Sequence, residues 1–250
     1  MKTDIQLNAE AIRLRKRLGQ DASSPVDIFR LILSDENLTL IFLPMGDRIS
    51  GISIRLDNSM LLGINSTLSH GRQRFTAAHE LFHLFYDEHF GMRICAKNKV
   101  SKDETENEAD RFASYFLAPY EALQEFIRDR LKKERSPLMV EDVIRIEQHF
   151  GLSRHATLVR LQREGYLTEK EAKKMQTGIV ALARRLGYDT ALYLPTPEEK
   201  QYATFGKYVA LAKRLREEEL VSHGKYEELL LDGFRYDIVY GINLDEERYD

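Results

Sequence analysis

The chain has one cysteine, Cys95, which excludes an internal disulfide and fits a reducing compartment. No apolar run approaches the roughly 20 residues of a membrane span. The opening MKTDIQLNAEAIRLRKRLG lacks the apolar core of a signal peptide, so the expected location is cytoplasmic. Basic charge is not in excess. Against 37 Lys and Arg stand 40 Asp and Glu, a net charge of -3 that offers no global attraction to nucleic acid. There is no internal repeat and no low-complexity segment. With 43% hydrophobic residues in 250, the chain suits one large or two small globular domains with a substantial core.

What is present concentrates in Arg72 to His89, RQRFTAAHELFHLFYDEH. His79-Glu80-Leu81-Phe82-His83 is an HExxH pattern. Residues four apart share one helix face, so both imidazoles can reach one ion while Glu80 flanks the opening. Zn²⁺ accepts neutral imidazole and carboxylate, and a catalytic site needs three protein ligands with a fourth position left for water. The apolar surroundings, Phe75, Ala77, Ala78, Leu81, Phe82, Leu84, Phe85 and Tyr86, predict a largely buried helix, with Ser66 or Thr67 available to cap it.

Two residues compete as third ligand. His89 completes HExxHxxYxxH, the metzincin spacing, but Tyr86 stands where that motif has a chain-turning Gly. If the helix continues through Tyr86, His89 lies about 120° around the axis from His83 and is a poor ligand. The alternative is Glu106 in KDETENEADRFASYFLAP, with Glu108 as runner-up facing another side. Asp110, one turn after Glu106, would hydrogen-bond the outer nitrogen of a ligand histidine and set its tautomer. HExxH followed by ExxxD on a second helix is the gluzincin arrangement. Cys95 is either a further ligand or a small buried apolar side chain, the commoner role.

Elsewhere, Leu7, Ala11, Leu14 and Leu18 predict an amphipathic first helix, with Arg13, Arg15, Lys16 and Arg17 on solvated faces. Ser24-Pro25 reads as the start of a second helix running through Leu33. From Leu38 the period changes to two, giving strands around Leu38 to Leu43, Gly51 to Leu56 and Met60 to Ile64. Helices follow at Tyr120 to Lys133, Val140 to Phe150 and Ser153 to Glu164. Phe150-Gly151-Leu152-Ser153 resembles a helix-turn-helix junction, with Arg154, His155 and Arg160 beyond it. Residues 140–164 are therefore read either as a hairpin bracing the active site or as a DNA-binding element, the weak basic character favouring the brace. Thr168 and Glu171 form a plausible capping box. After the Pro195-Thr196-Pro197 break, helices are expected at about Glu198 to Glu219 and Lys225 to Asp232, with a short strand at Arg235 to Tyr240. The predicted fold is α+β, mostly helical, with a small three-stranded sheet preceding the zincin helix. Its parts are N-terminal helices (1–36), a metallopeptidase domain (37–167) and a C-terminal helical region (168–250).

RQRFTAAHELFH and ENEADRFASYFLAP resemble the two conserved blocks of the ImmA/IrrE family of metallo-endopeptidases. The resemblance implies one Zn²⁺ held by His79, His83 and Glu106, with Glu80 as acid/base. It also implies cleavage of a protein substrate, best guessed as a DNA-binding helix-turn-helix repressor, and a substrate strand that pairs with the sheet edge. The sequence departs from the family in Phe82, where a small residue is usual, and in Asp110, where Asn is commoner. Tyr115 to Pro119 match the end of the second block loosely. A gluzincin site usually adds a His or Tyr that stabilises the oxyanion. His149 and His155 are the candidates, Tyr115 being turned away from the ligand face. Two other functions fit less of the pattern: a non-proteolytic zinc-containing regulator that binds a repressor or antitoxin-like partner, and a DNA-binding regulator acting through residues 140–164.

Overall fold

Three strands lie where the alternation places them, and two more join them. The computed structural model describes residues 2–87, 92–96, 104–133 and 137–242. β1 (Leu38–Leu43), β2 (Ile49–Leu56) and β3 (Ser59–Asn65) are flanked by β4 (Met92–Ala96) and β5 (Ala203–Gly206), in the order β4-β2-β3-β1-β5. β1 and β3 are parallel; the other pairs are antiparallel. Among the described residues the sheet therefore has five strands rather than the three expected. β5 is only four residues long and buries one side chain, Thr204, so it carries almost no alternating signal.

α1 (Asp4–Arg17) begins with a capping box between Thr3 and Gln6 and buries Leu7, Ala11 and Leu14 as predicted. Its basic residues are not all solvated. Arg15 is fully buried, and its guanidinium donates to the carbonyl oxygens of Asp21 (2.9 Å), Phe116 (2.7 Å) and Ser24. Burial pulls its pKa down to about 10. α2 (Ile28–Ile32) is capped by Asp27 and starts later than Ser24-Pro25 implied. The backbone N–H groups of Ser23 and Ser24 are held by Asp21 Oδ1 at 2.7 and 2.6 Å, in a turn that precedes the helix.

α3 (His70–Tyr86) packs against β2 and β3 on one side and against α4 (Glu104–Leu117) on another. Its N-cap is Ser69, later than Ser66 or Thr67. Together these elements enclose the core: Leu38, Leu40, Leu62 and Ile64 from the sheet, Ala77, Ala78 and Leu81 from α3, and Phe112, Ala113 and Phe116 from α4. Continuing the chain, α5 (Tyr120–Glu125) passes into a single π-helical turn at Phe126–Arg130. α6 (Val140–Phe150) and α7 (Arg154–Arg163) form the expected hairpin, with Ser153 as N-cap. At their junction Gly151 has φ 66°, and a Cβ there would lie 2.4 Å from Arg74 Nε. Arg74 uses that space to donate to the carbonyls of Gly151 (3.0 Å) and Val26 (2.5 Å), which ties α3 to the hairpin.

α8 (Glu169–Lys174) has the Thr168/Glu171 capping box, and α9 (Ile179–Arg185) follows. The expected long helix from Glu198 is divided into a 3-10 turn (Glu198–Lys200), β5 and α10 (Lys207–Glu217). Gly206 makes the break: at φ 81°, with its Cβ position 2.3 Å from Leu38 O, it is a strand end that no helix could occupy. α11 (His223–Asp232) lies as read, but the strand expected at Arg235 to Tyr240 is instead α12 (Tyr236–Tyr240). The region after residue 168 also does more than follow residues 37–167. β5 extends its sheet, Leu194 O accepts from the His70 N–H at 2.8 Å, and Thr196 N–H donates to Ser66 O at 3.2 Å.

Candidate metal centre

The site forms where α3 and α4 meet. His79 and His83, one turn apart on α3, direct their Nε2 atoms to the same point, 3.2 Å from each other. Glu106, in the first turn of α4, presents one carboxylate oxygen to each imidazole: Oε2 is 3.3 Å from His79 Nε2 and Oε1 is 3.4 Å from His83 Nε2. Both histidines are buried, and the Glu106 side chain retains 24% exposure, so the cluster sits below the surface with an opening on the α4 side.

The tautomers follow from what lies behind the rings. Asp110 Oδ1 is 2.8 Å from His79 Nδ1. A carboxylate only accepts, so this bond places the ring proton on Nδ1 and leaves Nε2 a bare lone pair. Asp87 Oδ2 also lies on the outer side of His83, 3.5 Å from Nδ1, farther than the Asp110 bond to His79. The centre of the cluster thus collects two imidazole nitrogens and a carboxylate, a donor set that suits a small divalent cation. Ligand bonds of about 2.0 to 2.2 Å in a tetrahedron set donor separations of about 3.3 to 3.6 Å, and the observed 3.2, 3.3 and 3.4 Å lie close to that range. His79, His83 and Glu106 therefore fit a small tetrahedral metal ion.

Glu80 does not simply flank an opening. It is fully buried and faces β2, where the Ser53 hydroxyl donates to its Oε2. β2 accommodates it with an inverted pattern: Gly51 and Ser53 are buried against α3, while the apolar Ile52 and Ile54 are only half buried. A Cβ on Gly51 would stand 2.6 Å from Thr76 Cγ2 and 3.3 Å from Glu80 Oε1. Two turns on, Arg55 donates to the carbonyls of Leu84 (2.8 Å) and Asp87 (3.0 Å), closing the C-terminal end of α3.

Other residues singled out in the sequence are placed as follows. Glu108 accepts from the backbone N–H of Lys2 at 2.5 Å and is not part of the cluster. His89 lies outside the described residues, as does the side chain of Cys95. α3 does include Tyr86, whose hydroxyl donates to Glu10 O at 2.9 Å. Phe82 packs between the His83, Tyr86 and Phe112 rings at 5.7, 6.0 and 5.4 Å, so its bulk fills core space behind the ligands. Tyr115 is buried, with the Arg160 guanidinium 4.0 Å above its ring. Neither oxyanion candidate is brought to the cluster: His149 stacks on Phe126 at 4.3 Å, and His155 is exposed on α7. The hairpin also turns its cations inward. Arg154 pairs with Glu147 and Arg160 with Glu164, which removes two arginines from any nucleic-acid face.

Sequence reasoning missed Asp87 and Ser53. Asp87 was legible as the residue four after His83. Ser53 had one signal, the G-x-S-x-R run of small and polar residues along one face of a strand whose other face is apolar.

A helix carrying His79 and His83, a second helix supplying Glu106 and a small sheet over the first helix are the arrangement of a metallopeptidase-type family. The chain belongs to the peptidase M78 family, matching its IrrE N-terminal-like domain over residues 34–162, just over half of its length. No curated protein matches the sequence. Among solved structures, one described as a Mycobacterium tuberculosis transcriptional regulator is similar with a TM-score of 0.40 and 15% identity, over 63% of this chain and 46% of that one. This chain thus matches less than half the length of that structure.

Proposed function

We propose that the protein is a zinc-dependent endopeptidase acting on another protein, with a DNA-binding helix-turn-helix repressor as its substrate and release of repression as the outcome. The observation that carries the reading is the meeting of three acceptors, His79 Nε2, His83 Nε2 and the Glu106 carboxylate, at separations of 3.2, 3.3 and 3.4 Å beside the Glu80 position. The repressor as substrate rests on the resemblance to the ImmA/IrrE family alone. A cytoplasmic location goes with such a substrate, and no described helix is long and apolar enough to cross a membrane.

His79, His83 and Glu106 would hold the ion. When bound, zinc supplies Lewis acidity toward water and the scissile carbonyl. Asp110 keeps the His79 Nδ1 proton in place, so that Nε2 stays a ligand. Glu80 takes a proton from the attacking water and returns it to the leaving amine, a transfer its amide analogue cannot perform. The test has two parts. Metal analysis of the purified protein should give one zinc per chain, falling to near zero in Glu106→Ala. Incubation with a helix-turn-helix repressor from the same source should give fragments whose masses locate one cleaved bond. Zinc without cleavage would favour a second reading, a zinc-containing regulator that acts by binding, and the complete burial of Glu80 is the feature on its side.

A further inference from the structure

The face that β2 turns toward α3 is unlike a core strand. Apolar residues would be expected at its buried positions, because a fully desolvated hydroxyl contributes nothing by burial and must find a partner. Instead the buried face carries Gly51, Ser53 and Arg55, and each meets α3 at a different level. Gly51 lets the strand approach Thr76 and Glu80 more closely than any side chain would allow. Ser53, with no exposed surface, directs its hydroxyl to Glu80 Oε2. Arg55 binds the carbonyls of Leu84 and Asp87.

We propose that Ser53 is a positioning residue for Glu80: its hydroxyl holds the carboxylate in the one orientation from which it exchanges a proton with water at the metal centre. The claim rests on the peptidase reading above. A glutamate side chain has three rotatable bonds, and a carboxylate displaced by even 1 Å from its proton partner loses much of its effect. Ser53 removes that freedom with a charge-assisted bond, the strong kind, from a strand pinned by two neighbours. Gly51 makes the bond possible by bringing the strand close. The hydroxyl donates its single proton to Glu80, and no proton leaves Ser53 in the reaction.

Acetohydroxamate tests this without the natural substrate, because a hydroxamate chelates zinc and gives its hydroxyl proton to the neighbouring carboxylate. Calorimetry would compare the zinc-loaded protein with Ser53→Ala and with Ser53→Cys, a near-isosteric change that keeps the packing and replaces the hydroxyl with a weak donor. Both variants should keep full zinc content and weaken acetohydroxamate binding by about tenfold, the size expected from loss of a hydrogen bond to a charged group. In a Glu80→Gln background, Ser53→Ala should produce no further weakening. Parental affinity in Ser53→Cys, or an undiminished effect of Ser53→Ala in the Glu80→Gln background, would show that the serine acts by packing and overturn the proposal. If the parental protein binds no zinc, or binds zinc but not acetohydroxamate, the peptidase reading itself fails and the role of Ser53 falls with it.

Discussion

Two helix pairs in this molecule bury charged side chains, and they do so in opposite ways. Between α6 and α7, Glu147 has no exposed surface. It is met by Arg154, with Nε 2.5 Å from Oε1 and Nη2 3.1 Å from Oε2, and by the Tyr193 hydroxyl at 2.9 Å from Oε2. Arg160, equally buried, pairs with Glu164 and donates to Ser114 Oγ at 3.0 Å. Each carboxylate there meets a guanidinium, so charge faces opposite charge within the chain, even though Glu164 Oε2 and Arg160 Nη2 have no hydrogen-bond partner among the described residues. Between α3 and α4, donors occupy only the outer positions, and the centre brings acceptor to acceptor. Burial of charge alone does not mark a functional site. What distinguishes the candidate metal centre is that ligand-type atoms of His79, His83 and Glu106 converge within 4.8 Å of one another, the arrangement that fits a small cation.

That contrast can be broken at either end. The largest effect is expected from Glu80→Gln, which should retain zinc and fold yet lower the cleavage rate by about 10² to 10⁴, the usual share of general acid/base catalysis; fragment formation over time measures it. In the ion-paired hairpin, Arg154→Ala leaves the buried Glu147 carboxylate without its counter-charge, with only the Tyr193 hydroxyl still donating to it, and should lower unfolding free energy by about 3 to 5 kcal/mol in urea titrations, without changing the zinc content of the folded protein. Asp110→Asn should weaken zinc binding by about 10- to 100-fold in competition with a chelator, because the amide can offer its N–H and no longer dictates the His79 tautomer. Smallest is a pH effect. Burial raises the Glu147 carboxyl from 4.5 to about 7 against the opposing pull of Arg154. The folded chain then keeps a proton that the unfolded chain has lost between those values, so the contribution is complete below about pH 4.5 and fades as pH rises through 7. Melting temperature should fall by a few degrees across that window, and Glu147→Gln should flatten the slope.

The cluster that could hold a metal was legible because its spacing is local: His83 stands four positions after His79, as Asp110 does after Glu106, and helix geometry does the rest. β1 to β3 were legible from alternation, and α6 and α7 from the glycine and serine between them. What escaped is long-range. Arg15 looked like one of four solvated cations, because nothing near it in sequence announces that three carbonyls converge on its guanidinium. β5 and α12 exchanged places with the expected helix and strand, because short elements at the margin of a fold take their form from what they pair with rather than from propensity. His149 and His155 were selected by chain position, whereas the structure turns one onto Phe126 and the other to solvent.

The closing of β1 by β5 has a consequence for the order of synthesis. All of β1, β2 and β3, and the two helices that carry the metal ligands, are made before Ala203–Gly206. At about 5 to 20 residues per second, roughly 10 to 30 seconds separate the strand from its last neighbour. During that interval the outer edge of β1 presents unpaired N–H and C=O groups, with the Phe42 ring beside them, to whatever else is nearby. The nascent chain therefore passes through a stage in which its ligand-bearing elements are complete while its sheet can still recruit a foreign strand. That stage ends only when the fifth strand arrives.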